Sequence, residues 1–270
     1  MTKLLGVIGD PIAHSLSPLI HNGWLRDMGF DATYEAFHVR EGDFDNALKT
    51  LAEKDCLGVN VTLPHKGAAL AAASEISDAA KAIGAANTLT HCGDGTWRAD
   101  NTDAPGFLSA IGELDQASSR VVILGAGGSA RAIIHALSVH GIKTVILNRT
   151  VSKAEAIAAE LGRGNASAAS IDQYNDYIES ATIVVNTTSM GHSGGLLELP
   201  LGQARTFFDI SYGKISAPQL DHARLQGWET LDGLSMLVAQ AAFSFEIWFG
   251  HSPDQASGLR RCRMALEAVS

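Results

Sequence analysis

The run Val121-Val122-Ile123-Leu124 passes without a break into Gly125-Ala126-Gly127-Gly128-Ser129-Ala130, and no other segment constrains the fold as strongly. Four consecutive aliphatic residues with no polar alternation read as a strand buried on both faces. Two glycines one residue apart directly after it call for a tight turn into a helix. In the spacing Gly-x-Gly-x-x-Ala, Gly125 permits the turn, Gly127 lets the backbone approach a pyrophosphate, and small Ala130 allows close helix–strand packing. The loop Gly125, Ala126, Gly127, Gly128 and Ser129 then offers the free N–H groups of a helix N-terminus to phosphates. A glycine string alone also fits a plain strand–helix turn. With a strand before it, a helix after it and a second strand beyond, the dinucleotide reading is the better one.

The rest of the chain repeats the alternation of short β-rich runs and alanine-rich stretches that builds βαβ units. Strands are expected at Leu4–Ile8, Thr33–Val39, Leu57–Val61 and Thr88–Thr90, with helices at Pro18–Met28, Gly42–Glu53 and Pro64–Ala73. Gly93-Asp94-Gly95 reads as a hairpin turn, where positive φ is cheap. A connecting helix from Ala104 to Leu114 and the polar linker Asp115–Arg120 lead into the glycine-loop strand. Strands Thr144–Leu147, Thr182–Asn186 and Phe207–Ser211 follow it, and then terminal helices Leu234–Phe249 and about Pro253–Glu267. The pattern predicts two α/β domains with a boundary near residues 103–120. A length of 270 residues accommodates both.

Composition excludes several alternatives. At 46% apolar and 18% charged the chain is not disordered, and its 27 glycines follow no collagen period. The longest apolar run, Ala68 to Ala73, is far short of the roughly 20 residues that span a bilayer. Met1-Thr2-Lys3-Leu4-Leu5 enters strand-like sequence with no signal-peptide pattern. A net charge of −9 disfavours nucleic acid and anionic membranes as partners but allows a local cationic pocket for a small anion. Cys56, Cys92 and Cys262 form no Cys-x-x-Cys pair, so they read as reduced residues of a cytoplasmic protein. The ten histidines show no metal-binding spacing, and no metal is expected.

The strand after the glycine loop selects the dinucleotide. An acidic residue at its end would bind the ribose hydroxyls of NAD. This chain has Asn148-Arg149-Thr150, with Lys153 close by. A carboxylate there would repel a 2′-phosphate, whereas Arg149 can pair with it and stack on adenine, so NADP is the expected cofactor.

Three polar clusters of the first hundred residues stand where helices should begin. In His14-Ser15-Leu16-Ser17-Pro18, Ser17 is a natural N-cap with Pro18 as first helical residue. Capping alone explains the cluster, and so does capping combined with carboxylate binding by Ser15 and Ser17. In Asn60-Val61-Thr62-Leu63-Pro64-His65-Lys66, Thr62 lies near the cap and Lys66 sits at the positive end of the helix. That position is unfavourable for a surface cation and useful for a lysine that gives up and recovers a proton. In Asp100-Asn101-Thr102-Asp103, either Thr102 or Asp103 fits an N-cap. Asp103 also lies at the expected domain boundary, where a carboxylate could hold a lysine and share its proton.

Taken together these clusters resemble the shikimate dehydrogenase family over essentially the whole chain. The matching stretches are Gly9–Pro18, Asn60–Lys66, Gly84-Ala85-Ala86-Asn87-Thr88, Asn101-Thr102-Asp103, Gly125–Ala130, Asn148-Arg149-Thr150, Asn186-Thr187-Thr188-Ser189-Met190-Gly191 and Gly233–Gln240. Each is short, but eight in order are highly specific. The resemblance implies reversible NADPH-dependent reduction of 3-dehydroshikimate to shikimate, a step of aromatic amino-acid synthesis. It makes Lys66 the acid/base and Asp103 its partner. Ser15 and Ser17 would bind the ring carboxylate, while Thr62, Asn87, Tyr212 and Gln240, with Asp103, would hold the carboxylate or ring hydroxyls. The glycine loop, Asn148, Arg149, Thr150 and Lys153 would take the cofactor phosphates. Thr188, Met190, Ile210 and Gly233 would lie by its nicotinamide half, with Asp78 near the same face. The implied organisation is a substrate domain of residues 1–103 with a mostly parallel sheet, completed by helices of about 239–270. A Rossmann-type NADP-binding domain occupies 104–238, and the protein is expected to be a monomer or homodimer.

The chain departs from the family pattern at Ala99 and Ala104, where glycine is common, at Ala217-Pro218, and at His192. These changes leave the presumed catalytic groups intact and bear on substrate preference, so a quinate or shikimate-like dehydrogenase is the alternative. A non-catalytic NADP(H)-binding regulator would show erosion at the lysine–aspartate pair, and both residues are present.

Overall fold

The computed structural model describes residues 2–268, apart from the side chain of His192. In chain order the elements are β1 (Lys3–Gly9), α1 (Ser17–Met28), β2 (Ala32–His38), α2 (Phe44–Glu53), β3 (Cys56–Val61), α3 (Lys66–Ala72), β4 (Glu75–Ile76), α4 (Asp78–Ile83), β5 (Thr88–His91), β6 (Trp97–Asp100) and α5 (Asp103–Ile111). There follow β7 (Arg120–Leu124), α6 (Gly128–Val139), β8 (Lys143–Asn148), α7 (Val151–Leu161), β9 (Ala166–Ser170), α8 (Tyr174–Ile178), β10 (Ile183–Asn186), β11 (Thr206–Asp209), α9 (Ala217–Leu225), β12 (Glu229–Leu231), α10 (Gly233–Phe249) and α11 (Gln255–Glu267). They form two compact units. One holds the chain up to Gly106 and again from Leu237 onward, the other Phe107–Met236, so the chain passes between them within α5 and within α10.

The first unit is built on a six-stranded sheet of order β2-β1-β3-β5-β6-β4. β1 runs parallel to β2 and β3, β5 is antiparallel to β3 and β6, and β4 is parallel to β6. The near-continuous apolar strands β1 and β3 take inner places, while β2, where Tyr34 is the one buried residue, lies at an edge. The β5–β6 hairpin turns on Gly93 and Gly95, both at positive φ, and Asp94 Oδ1 accepts a hydrogen bond from the Thr96 N–H at 2.9 Å. One core joins Phe44, Leu48 and Leu51 of α2 to Val59, Val61 and Leu89. An aromatic group with Trp24, Tyr34, Phe245 and Trp248 ties α1 and α10 to the sheet. Gly58 leaves the room that the Trp248 indole fills, and the indole N–H donates to the Leu89 carbonyl at 3.2 Å.

The second unit has six parallel strands in the order β12-β11-β10-β7-β8-β9. Counted from β7, this is the 3-2-1-4-5-6 arrangement of doubly wound dinucleotide-binding sheets, with the strand order reversing between β7 and β10. Its core is made by Val122, Leu124, Leu147, Val184 and Phe207 with Ile178, Leu220 and Trp228.

Local starts differ from expectation for identifiable reasons. Ser17 lies inside α1, whose N-cap is Leu16, so the serine side chain is not the cap. α2 begins at Phe44, because Gly42 at φ +96° is outside the helical region. α3 begins at Lys66 rather than Pro64: residues 62–65 form a turn in which the His65 N–H donates to the Thr62 carbonyl at 2.9 Å. α5 stops at Ile111, before Gly112 at φ +77°. β4, β6, β9, β12 and α4 are additions, all too short for periodicity to reveal.

Within the aromatic group, His21 stacks on Tyr34 with ring centroids 4.2 Å apart. Burial lowers its pKa from 6.5 to about 3, against a smaller upward pull from the Asn60 side chain. Unfolding therefore takes up a proton, so the contribution of His21 is complete above pH 6.5 and is lost as pH falls towards 3. Stability should decline by up to about 1.4 kcal/mol per pH unit from this group between pH 6 and 4. Urea titrations across that range should show a shallower decline for His21→Phe, and equal slopes would contradict the assignment.

Candidate active site

Lys66, the first residue of α3, is brought to Asp103, the first residue of α5. Lys66 Nζ donates to Asp103 Oδ2 at 2.6 Å, and the two side chains are 10% and 8% exposed. An ammonium and a carboxylate so far from water require each other and further hydrogen bonds. Asn87, in the loop before β5, supplies one through Nδ2 to Asp103 Oδ1 at 2.9 Å. Its orientation is unambiguous, because the Thr102 N–H can only donate and meets Asn87 Oδ1 at 2.8 Å, leaving Nδ2 to face the carboxylate. Asn87 Nδ2 also lies 3.3 Å from Gln240 Oε1 on α10. Four of the expected residues, Lys66, Asn87, Asp103 and Gln240, thus share one buried cluster.

The start of α5 is not capped by Thr102 or Asp103 side chains. Asn101 Oδ1 accepts from the Asp103 N–H at 3.1 Å, which frees the Asp103 carboxylate for Lys66. Gly106, one turn on, lets α5 approach α10: a Cβ there would stand 2.8 Å from that of Gln240.

Ser15 and Thr62 occupy the loops that leave β1 and β3, and Ser17 is the first residue of α1. The loops are joined by backbone bonds, Asp10 N–H to the Leu63 carbonyl at 3.0 Å and Thr62 N–H to the Ile8 carbonyl at 2.9 Å. Ser15 Oγ accepts from the Ser17 N–H at 3.3 Å, so the two serines sit in one turn. Asp78 is an exposed residue in the first turn of α4.

In the second unit, Gly125 takes φ +106° and Gly127 is the N-cap of α6. A Cβ on Gly127 would meet nothing within 4 Å, so the loop backbone is open on that side, while Ala130 is fully buried against the strand. Both features suit a pyrophosphate at the N-terminus of α6. Asn148 ends β8 and donates from Nδ2 to the Thr150 carbonyl at 2.9 Å, and Thr150 is the N-cap of α7. Arg149 and Lys153 are exposed and no acid lies at 148–150, a cationic setting that fits a 2′-phosphate.

The ends of β10 and β11 are cross-linked. The buried Asp209 carboxylate accepts from Asn186 Nδ2 at 2.9 Å and from the Ser211 N–H and hydroxyl at 2.9 and 2.6 Å. Asn186 Oδ1 accepts from the Thr188 N–H and hydroxyl at 3.1 and 2.7 Å, and Thr188 Oγ1 accepts from the Met190 N–H at 3.3 Å. Gly233 N–H donates to the Ser211 carbonyl at 2.9 Å, and a Cβ at Gly233 would collide with the Ile210 carbonyl. Thr188, Met190, Ile210 and Gly233 are therefore held as one set, by a carboxylate that is fully engaged in structure. Tyr212 belongs to the same unit, just after β11.

Comparison with known proteins bears on the whole chain. Residues 7–89 match the shikimate dehydrogenase substrate binding domain, 109–197 match shikimate / quinate 5-dehydrogenase, and 233–261 match the shikimate 5′-dehydrogenase C-terminal domain. Shikimate dehydrogenase (NADP(+)) of Hyphomonas neptunium is 51% identical over 272 residues, covering 100% of both chains. The chain belongs to the shikimate dehydrogenase family. Among solved structures, the shikimate dehydrogenase of Aquifex aeolicus superposes with TM-score 0.88 at 32% identity, covering 97% of this chain and 98% of that one. The Thermus thermophilus shikimate 5-dehydrogenase in complex with NADP(H) and shikimate gives TM-score 0.84 at 32% identity, with 97% and 99% covered.

Sequence reasoning missed the polar residues behind this shikimate dehydrogenase-family site. Asn60, Thr88, Thr102 and Ser244 are all buried and hydrogen-bonded to one another or to Asn87. The available signal was a polar residue inside an apolar run, as in Val59-Asn60-Val61 and Phe243-Ser244-Phe245. The geometry of the ion pair carries its own consequence. Asp103→Ala removes the carboxylate that meets the buried Lys66 ammonium and should cost about 3 kcal/mol or more, whereas Lys66→Met/Asp103→Leu should cost clearly less. Urea unfolding of the three proteins checks the order.

Proposed function

We propose that this chain catalyses the reversible, NADP-dependent interconversion of 3-dehydroshikimate and shikimate in aromatic amino-acid synthesis. The observation that carries the reading is the buried Lys66–Asp103 pair at 2.6 Å, oriented by Asn87, in a chain that aligns end to end with NADP-dependent shikimate dehydrogenases. Ser15 and Ser17 bind the ring carboxylate, and Thr62, Asn87, Asp103, Tyr212 and Gln240 hold the carboxylate or the ring hydroxyls. Bound NADPH supplies the hydride that reduces the ring ketone. Lys66 Nζ polarises the ketone oxygen and gives it a proton as negative charge develops there, and in the reverse direction takes that proton back. Asp103 keeps the ammonium aimed, and Asn87 keeps the carboxylate from turning away.

Gly125, Ala126, Gly127, Gly128, Ser129, Asn148, Arg149, Thr150 and Lys153 would hold the cofactor phosphates, with Arg149 suited to the 2′-phosphate. Met190, Ile210 and Gly233 would lie by the nicotinamide half, and Thr188, bonded to the Met190 N–H, would also contact the cofactor. Asp78 is assigned to the cofactor on family resemblance alone. Among the described residues no helix is long and apolar enough to cross a membrane. We place the enzyme in the cytoplasm as a monomer or homodimer. Its three free cysteines support a reducing compartment, with burial pushing the Cys56 thiol up to about 12 and Cys262 to about 11.

The test is a steady-state assay of shikimate and quinate, each with NADP+ and NAD+. Shikimate with NADP+ should be the best pair by kcat/KM; a preference for quinate would move the chain to the alternative substrate class. Lys66→Ala should lower kcat by about 10²- to 10⁴-fold with a much smaller change in KM. An unchanged kcat would remove Lys66 from the mechanism. Arg149→Ala, which deletes a charge-assisted phosphate contact, should raise KM for NADP+ by about 10- to 100-fold and leave that for NAD+ nearly unchanged.

A further inference from the structure

Behind the Lys66–Asp103 pair lies a buried hydrogen-bonded group that reaches from α10 across three strands. Its centre is Ser244, fully buried on α10 one turn after Gln240. Ser244 Oγ donates its single hydrogen to the Gln240 carbonyl at 3.0 Å. Its two lone pairs then accept from Asn60 Nδ2 at 2.8 Å and from the Thr102 hydroxyl at 3.1 Å, with Thr88 Oγ1 lying 2.9 Å away. Asn60 is in turn fixed at its oxygen by the Tyr34 hydroxyl at 2.7 Å, which leaves its Nδ2 facing Ser244.

The Thr88 hydroxyl donates to Asn87 Oδ1 at 3.0 Å, and Thr102 Oγ1, its hydrogen given to Ser244, accepts from Asn87 Nδ2 at 3.0 Å. One serine oxygen thus sets the Thr102 rotor directly and, through Asn60 Nδ2, which also donates to Thr88 Oγ1 at 3.2 Å, steadies the second threonine beside the amide that orients Asp103. It does so from α10, the helix that also carries Gln240.

We propose that Ser244 is a positioning residue for catalysis: it acts through Thr88, Thr102 and Asn87 to hold Asp103, and hence Lys66, in productive register. The proposal rests on Lys66 and Asp103 being the proton-transfer pair. Without Ser244 Oγ, Asn60 Nδ2 loses its shortest acceptor, and the Thr102 hydroxyl is released to turn its hydrogen to Asn87 Oδ1, 3.2 Å away, in competition with the bond it accepts from Asn87 Nδ2. The amide then has more than one arrangement, and the carboxylate with it.

The experiment compares the parent enzyme and Ser244→Ala in single-turnover oxidation of shikimate with NADP+, reading amplitude and rate constant separately. Loss of such a supporting contact should lower the rate constant on the order of tenfold, with amplitude retained and the shikimate KM shifted far less. A rate constant within about twofold of the parent, or a loss confined to amplitude as a merely structural role predicts, overturns the proposal. Should Ser244→Ala not fold, Thr88→Val breaks the same connection from the sheet side and is judged by the same two readings. Loss of turnover in Lys66→Ala with an unaffected Ser244→Ala would refute the positioning role and leave the proposed reaction standing. Full activity in Lys66→Ala would refute the reaction's assignment to the pair itself.

Discussion

A charge taken out of water must be met by an opposite charge and by enough hydrogen bonds to replace its hydration, and the Lys66–Asp103 pair imposes that demand on the first unit. Its consequences spread outward. Asn87 turns its amide to the carboxylate because Thr102 presents an N–H to its oxygen. Asn101, rather than Asp103, caps α5, so the carboxylate remains free for the lysine. α10 returns to the first unit with Gln240 and Ser244 on adjacent turns, and Gly106 and Gly58 are small where that helix needs room. The elements that meet here come from residues 60 to 244, which explains why this unit includes chain from both sides of the second one.

The second unit solves a different problem by the same means. It leaves bare backbone open at one strand end while keeping neighbouring loops fixed. The glycine turn after β7 does the first. The buried Asp209 carboxylate, saturated by Asn186 and Ser211, does the second. A buried carboxylate near a site invites a catalytic reading, but one whose oxygens are occupied by neutral donors from adjacent strand ends serves to lock them. Asp103 differs in having an ammonium as its partner.

Much of the fold was legible in the chain. The glycine loop after Leu124, the missing acid beside Arg149, and the ordered clusters at 9–18, 60–66 and 101–103 each pair a residue type with a local backbone demand. Such pairings survive without tertiary information. Cap assignments at Ser17 and Thr102 were less legible. A side chain suited to a cap can be taken by a distant partner, as Thr102 is by Asn87 and Ser244. The short elements β4, β6, β12 and α4 carry too few residues for a period to register.

By itself the sequence determined the strand–glycine–helix unit, the alternation that makes a parallel-rich α/β chain, the cationic end of β8 and the identity of the residues able to do acid–base chemistry. These follow from local sterics and from the hydrogen-bonding menu of each side chain. Only the tertiary structure decided which of those residues meet. Lys66 and Asp103 lie 37 positions apart, and Asn60 and Ser244 lie 184 apart. Their contacts depend on strand order and on the docking of α10, which local propensity does not encode. The buried polar group around Ser244 holds together because the donors and acceptors that this packing brings to one place satisfy one another.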